Sequence, residues 1–203
     1  MVKNHNNGWK RNDEKLSILR MLIENPEKEY SIRQIAIKRK INYKSAYNAV
    51  LKLGREGVVD VKKHGNTSMV RFNLNFNESV FIVETWRRND FLRDRDFRVL
   101  YRRISEIKNP FFICLVFGSY ARGNPKKGSD LDLCVITNDE KIKNEIEEIA
   151  DITPFDIHCL VFSSDEFIKM LRTTEFNVGK EIVKNRIILK GIEMFYELIN
   201  HAE

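Results

Sequence analysis

The stretch "FFICLVFGSYARGNPKKGSDLDLCVI", residues 111–136, constrains the fold more than any other part of the chain. Its apolar, aromatic-rich run Phe111–Phe117 ends at a glycine, which predicts a short buried strand. A Gly-Ser pair and a basic loop follow, and then Ser129-Asp130-Leu131-Asp132-Leu133. In a strand alternate residues share a face, so Asp130 and Asp132 point one way while Leu131 and Leu133 point into the core. A carboxylate in such a strand is costly unless it is paired or holds a metal. Two carboxylates ~7 Å apart along one face suit a pair of divalent ions about 4 Å apart. A third acid is then expected from a neighbouring strand. "TPFDIHCLVF" supplies Asp156, alternating with Ile157, and His158 shares the face of Asp156. His158 itself reads as a satisfied core or edge histidine rather than a catalyst.

The groups before the aspartates point the same way. A strand that leads through Gly118 and Ser119 into a short helical turn offers backbone N–H groups and a hydroxyl, which suit phosphate oxygens. Glycine lets a phosphate come close to the backbone. Arg122 reads equally well as a phosphate contact or as a solvated loop arginine, and Lys126 and Lys127 as a mobile rim. Residues 140–150 read as an amphipathic helix, and residues 164–173 and 179–200 as two more. Cys114, Cys134 and Cys159 lie in separate apolar runs without CxxC spacing, so they read as small buried hydrophobes and not as a zinc site.

The other half of the chain has a different character. Residues 1–75 hold 16 Lys/Arg against 7 Asp/Glu, a net +9, while residues 110–203 hold 11 against 16, a net −5. Such an asymmetry predicts two modules with different partners. Residues 13–24 carry Leu16, Leu19, Leu22 and Ile23 at helical spacing. "SIRQIAIKRK" starts on the capping residue Ser31, and the next helix starts after Asn42. "VVDVKKHGNTSMVRFNL" reads as two strands around a His-Gly-Asn turn. Three short helices and a hairpin form the order of a winged helix-turn-helix, and residues 12–75 resemble one of the transcription-regulator type. In that arrangement Tyr43, Lys44, Ser45, Tyr47 and Asn48 face solvent on the third helix, suited to a major groove. Lys62, Lys63 and Arg71 on the hairpin suit phosphates. Protein docking through a solvated basic surface is the competing reading.

Between the two halves, residues 78–108 lack Pro and Gly, interleave opposite charges and repeat aromatic residues at helical spacing. They read as one long or two shorter connecting helices whose arginines form a solvated face. No apolar run approaches the ~20 residues that span a bilayer, and the N-terminus lacks the apolar core of a signal peptide. A cytoplasmic protein is the expectation.

"GSYARG" followed by "SDLDL", with a later strand aspartate, resembles the signature of the minimal nucleotidyltransferases, relatives of kanamycin nucleotidyltransferase and DNA polymerase beta. The resemblance covers residues 109–203. It implies that Gly118 and Ser119 hold a triphosphate, with Arg122 and Ser129 as further nucleotide contacts. It implies that Asp130 and Asp132 bind two Mg2+ ions, and that Asp156 completes one metal site and activates the attacking hydroxyl. Members of the family move a nucleoside monophosphate, here AMP from ATP as the first expectation, onto a hydroxyl and release pyrophosphate. Minimal members are often antitoxins paired with a helical toxin of the HEPN class, and some adenylylate it.

The expected fold class is therefore α+β: a winged helix-turn-helix over residues 1–75, a helical connector over 76–108 and a nucleotidyltransferase α/β domain with a mixed sheet over 109–203. The expected function is a magnesium-dependent nucleotidyltransferase with a DNA-binding arm. Duplex DNA and a HEPN-class toxin are the candidate partners, and self-association is left open. A transcriptional regulator whose transferase domain senses a nucleotide is the alternative; the intact acid triad favours the enzyme. An antibiotic-modifying enzyme would have no need of a DNA-binding module.

Overall fold

A computed structural model describes residues 13–153 and 155–202. The chain divides into two compact units, Met1–Asn73 and Leu74–Glu203. Among the described residues no helix is long and apolar enough to cross a membrane.

The first unit follows local signals closely. Helix α1 (Glu14–Ile23) starts at Asp13, whose carboxylate accepts from the Lys15 and Leu16 N–H groups. Ser31 closes a two-residue strand β1 (Tyr30–Ser31) and opens α2 (Ile32–Arg39) with a reciprocal capping box to Gln34. Asn42 caps α3 (Tyr43–Arg55) through the Ser45 N–H. Strands β2 (Val59–His64) and β3 (Thr67–Phe72) turn through Gly65, whose φ of +60° is one that side chains rarely adopt. The sheet is antiparallel in the order β1-β3-β2. Its core gathers Leu16, Leu19, Ile35, Ala46, Val50, Leu53, Val70 and Phe72, all buried.

The second unit begins with two helices, α4 (Glu78–Phe91) and α5 (Arg95–Glu106). A four-stranded sheet follows, formed by β4 (Ile113–Val116), β5 (Leu131–Ile136), β6 (Ile157–Phe162) and β7 (Ile187–Lys190) in the order β6-β5-β4-β7. Strands β5 and β6 are parallel and the other two pairs antiparallel, so the sheet is mixed. The one-turn helix α6 (Gly118–Ala121) follows β4, α7 (Glu140–Asp151) crosses from β5 to β6, and α8 (Ser164–Arg172), α9 (Val178–Lys184) and α10 (Ile192–Asn200) complete the unit. The core joins Leu100 and Ile104 of α5 to Cys114, Val116, Leu131, Leu133 and Val135 of the sheet and to Ile142 and Ile146 of α7. Cys114 and Cys134 are buried and Cys159 half-buried, all as free thiols.

Two expectations fail here. Residues 179–200 do not form one helix. The apolar Ile187-Ile188-Leu189 run pairs with β4, so the backbone groups along that edge are satisfied by a strand. Gly191 then ends the strand at φ +79°, and a Cβ there would fall 2.8 Å from the Phe112 carbonyl oxygen. The expectation of a solvated arginine face on the connecting helices also fails at Arg87. Glu84 of α4 is fully buried and accepts from Arg87 Nη1 (2.6 Å), from the Tyr196 hydroxyl (2.6 Å) and from Arg186 Nη2 (3.3 Å). Arg87 Nη2 donates to the Arg186 carbonyl at 2.7 Å, and the buried Arg186 guanidinium lies 4.8 Å from the Phe195 ring centre. Burial raises the Glu84 pKa, but Arg87 and Arg186 outweigh it and hold the carboxyl below its ordinary value. Helix α4 is thereby tied through its charged side chains to the β7–α10 end of the same unit.

Candidate active site

The site grows from the end of β4. The Phe117 N–H donates to the Asp132 carbonyl at 2.9 Å, which brings the Gly-Ser turn against β5. Gly118 sits at φ +66°, and a Cβ at this position would lie 1.9 Å from Asp132 Oδ2 and 2.8 Å from its Cγ. Only glycine lets the Asp132 carboxylate occupy that place. The two halves of the motif are thus pressed together by the antiparallel β4–β5 pairing, across the loop that joins them.

The parallel pairing brings in the third acid. Leu131 pairs with Ile157 and Asp132 with His158, and the Leu131 N–H donates to the Asp156 carbonyl at 2.9 Å. Asp130 and Asp156 immediately precede β5 and β6. Register partners in parallel strands share a face, which puts the Asp132 and His158 side chains on one side of the sheet, with Asp130 and Asp156 at the entrances to the two strands. Leu131 and Leu133 are buried on the other. The carboxylates lie at the rim of the sheet and not inside it: Asp130 and Asp156 are exposed, and the Asp132 side chain is 28% exposed. His158 Nδ1 lies 3.3 Å from Asp132 Oδ1, with 59% of its side chain exposed.

The remaining predicted nucleotide contacts sit around this turn. Ser119 is half-buried at the second position of α6. Arg122 is already engaged: its Nη1 lies 2.5 Å from Glu181 Oε1, and Asn185 Nδ2 donates to the same oxygen at 3.1 Å. Ser129 braces the loop, its Oγ accepting from the Lys126 N–H at 2.9 Å and its carbonyl from the Tyr120 hydroxyl at 3.3 Å. Aromatic rings pack behind the turn. Phe97 of α5 meets Tyr120 and Phe155 edge-on, at 5.3 and 5.5 Å between ring centres. Glu181 and Asn185 escaped the sequence reading, since no motif signals a partner on a helix far along the chain. The His158 contact was foreshadowed by its shared face with Asp156.

The donor set suits a magnesium ion, being carboxylate oxygens only. The Cβ-free position at Gly118 keeps bulk away from Asp132. Among the described residues no three His, Cys, Asp or Glu side chains close on a single point. Asp130 and Asp156 sit just before β5 and β6, beside Asp132 along the chain and the sheet edge, rather than in a formed metal cage. A cavity of about 500 Å³ opens elsewhere, at the C-terminal ends of β5 and β6, lined by Asn138, Lys143 and Glu166 among others. It is remote along the strands from the aspartates, which occupy the N-terminal ends.

In the first unit, Tyr43, Lys44, Tyr47 and Asn48 are exposed on α3, and the two tyrosine rings stack at 6.3 Å. Ser45 is half-buried. Lys62 and Lys63 are exposed on β2. Arg71 is half-exposed and pairs with Asp60 at 3.7 Å.

A mixed sheet that sets a Gly-Ser turn against an Asp-x-Asp strand defines a domain suited to handling phosphates. Residues 114–189 match the family model of the nucleotidyltransferase domain. The match lies wholly within the second unit and supports nucleoside monophosphate transfer as the general activity of this part of the chain. No curated protein and no solved structure matches the chain.

Proposed function

We propose that the chain is a magnesium-dependent nucleotidyltransferase that moves AMP from ATP onto a hydroxyl acceptor, and that its first unit is a winged helix that binds duplex DNA. The observation that carries the enzymatic reading is the packing of the Asp132 carboxylate against Gly118, within the stretch that matches the nucleotidyltransferase model.

Asp130, Asp132 and Asp156 would hold the metal, which when bound neutralises charge on the transferred and leaving phosphates. The chain's own residues divide the remaining work. Gly118 leaves its backbone open to a phosphate, and the Ser119 hydroxyl donates to one. Arg122 exchanges Glu181 for a phosphate oxygen. The exposed Asp156 carboxylate takes the proton of the acceptor hydroxyl as that oxygen attacks the α-phosphorus. The bond from this phosphorus to its bridging oxygen breaks, and pyrophosphate leaves.

The resemblance to minimal members suggests a hydroxyl on a HEPN-class toxin as the acceptor. The test is transfer from α-labelled ATP to candidate acceptors, with pyrophosphate release followed in parallel. The reading requires release that is lost in Asp132→Ala. ATP binding without release on any acceptor would favour the nucleotide-sensor alternative.

The DNA-binding reading rests on the net +9 of residues 1–75 together with exposed Tyr43, Lys44, Tyr47 and Asn48 on α3 and exposed Lys62 and Lys63 on β2. Antitoxin action would follow if toxin modification and DNA binding reside in the same chain.

A further inference from the structure

We infer that His158 is a positioning residue for Asp132, acting through the N–H at its Nδ1, and that it thereby sets the metal affinity of the candidate site. The inference deepens the nucleotidyltransferase reading and rests on it.

The geometry separates the two oxygens of Asp132. Oδ2 lies where the Cβ of any residue other than glycine at position 118 would fall, so α6 limits movement on that side. Oδ1 lies 3.3 Å from His158 Nδ1. With the carboxylate oxygen as acceptor, the contact calls for the histidine tautomer that carries its proton at Nδ1. The contact is not a chance meeting of flexible side chains. Asp132 and His158 are register partners in the parallel β5–β6 pair, held by the backbone on both sides. The Asp132 carboxylate is thus bracketed by two elements, the turn after β4 and the neighbouring strand.

A purely structural role for His158 fits poorly with its exposure. Most of its side chain, 59%, is open to solvent, so its packing contributes little. Orientation of a ligand is the role that an exposed donor beside a carboxylate can fill. Groups that hydrogen-bond a metal ligand fix its rotamer, and their loss typically weakens metal binding by about 10- to 100-fold.

The test uses the full chain and Mn2+ alone, with binding followed by calorimetry and by the electron paramagnetic resonance signal of the free ion. Asparagine carries an amide nitrogen at the δ position, as the Nδ1 of histidine does, whereas glutamine carries it at ε. His158→Asn should therefore bind Mn2+ within about twofold of wild type, and His158→Gln and His158→Leu about tenfold more weakly or worse. Unfolding temperatures close to wild type are expected for all three. His158→Leu binding Mn2+ as wild type does, or His158→Asn binding as weakly as His158→Gln, overturns the inference. Asp132→Asn keeps the two levels apart. If it binds Mn2+ like wild type, or if wild type binds none, the metal reading of the site falls and takes the inference with it.

Discussion

Gly118 and Asp132 share one small volume, and the site depends on that sharing. Alanine at 118 would meet two penalties: a left-handed backbone that costs about 1–2 kcal/mol for a residue with a Cβ, and a Cβ 1.9 Å from Asp132 Oδ2. The carboxylate, with His158 on its other side, has to turn away. Gly118→Ala is therefore expected to lower the unfolding temperature modestly and pyrophosphate release severely. A displacement of about 1 Å at a reacting group can cost around 100-fold in rate. Turnover at the wild-type level in Gly118→Ala would sink the proposal that this contact organises the site. Asp132→Asn, which keeps shape and removes charge, should lose turnover without losing stability, as calorimetric unfolding would report.

At the scale of elements, two ties decide how helices meet the sheet. The first joins α9 to the turn after β4 through Arg122 and Glu181. If Arg122 contacts nucleotide as proposed, an incoming phosphate would have to compete with that carboxylate. The pair is partly exposed, and such pairs are worth about 0.2–1 kcal/mol. Glu181→Gln should therefore tighten ATP binding by about 1.5- to 5-fold, read by equilibrium titration with a non-hydrolysable analogue. Weaker binding would mean that Glu181 orients Arg122 instead of restraining it. The second tie is the buried group of Glu84, Arg87, Arg186 and Tyr196. Removing the carboxylate leaves two arginines buried without their counter-charge, and breaking such a pair costs about 3–5 kcal/mol. Urea unfolding of Glu84→Ala should show a loss of that order; a loss below about 1 kcal/mol would contradict the weight placed on the network. The pH dependence has a definite sign. The folded pKa of Glu84 lies below its ordinary value of 4.5, so its contribution is complete above that value and disappears as pH falls through the lower, folded one. Glu84→Gln should flatten the acid limb of the stability profile below about pH 4.5.

For the whole molecule, the division between units falls at Asn73–Leu74, and the charge asymmetry follows it. If the first unit binds DNA, affinity should fall steeply with salt because Lys and Arg contacts release counterions. Lys62→Ala with Lys63→Ala should weaken binding to all sequences alike, whereas Asn48→Ala should relax sequence preference. Salt-insensitive binding in a filter or anisotropy assay would count against the reading. Coupling between the units is a separate matter. Nucleotide can alter DNA affinity only if it binds the DNA-bound and free forms differently, and the effect must then be reciprocal. The expectation is that a non-hydrolysable ATP analogue with magnesium shifts the DNA titration midpoint, and that Asp130→Asn abolishes the shift while keeping nucleotide-free DNA binding. A ratio of one would leave two independent modules on one chain.

Local sequence settled what local forces settle. Ser31 and Asn42 cap α2 and α3 because a short polar side chain reaches an N–H only three residues on. The turn at Gly65 followed from similarly short-range chemistry, as did the apolar run of β4, although the strand is Ile113–Val116 and Phe111 before it is exposed, and the alternation of Leu131, Asp132 and Leu133. That alternation also turned Asp132 away from the buried Leu131 and Leu133. Tertiary structure decided the rest. Ile187–Leu189 has an apolar pattern that a helix or a strand can satisfy, and the open edge of β4 selected the strand. Arg87 reads as a surface residue by its helical neighbours, yet it is buried, with Glu84 and the carbonyl of Arg186, 99 positions away, satisfying its guanidinium. Arg122 and Glu181 are separated by 59 positions, and Asp132 and His158 by 26. Helix and strand periodicities act over a few residues, whereas these pairings arise only when strands align in register and helices pack on the sheet.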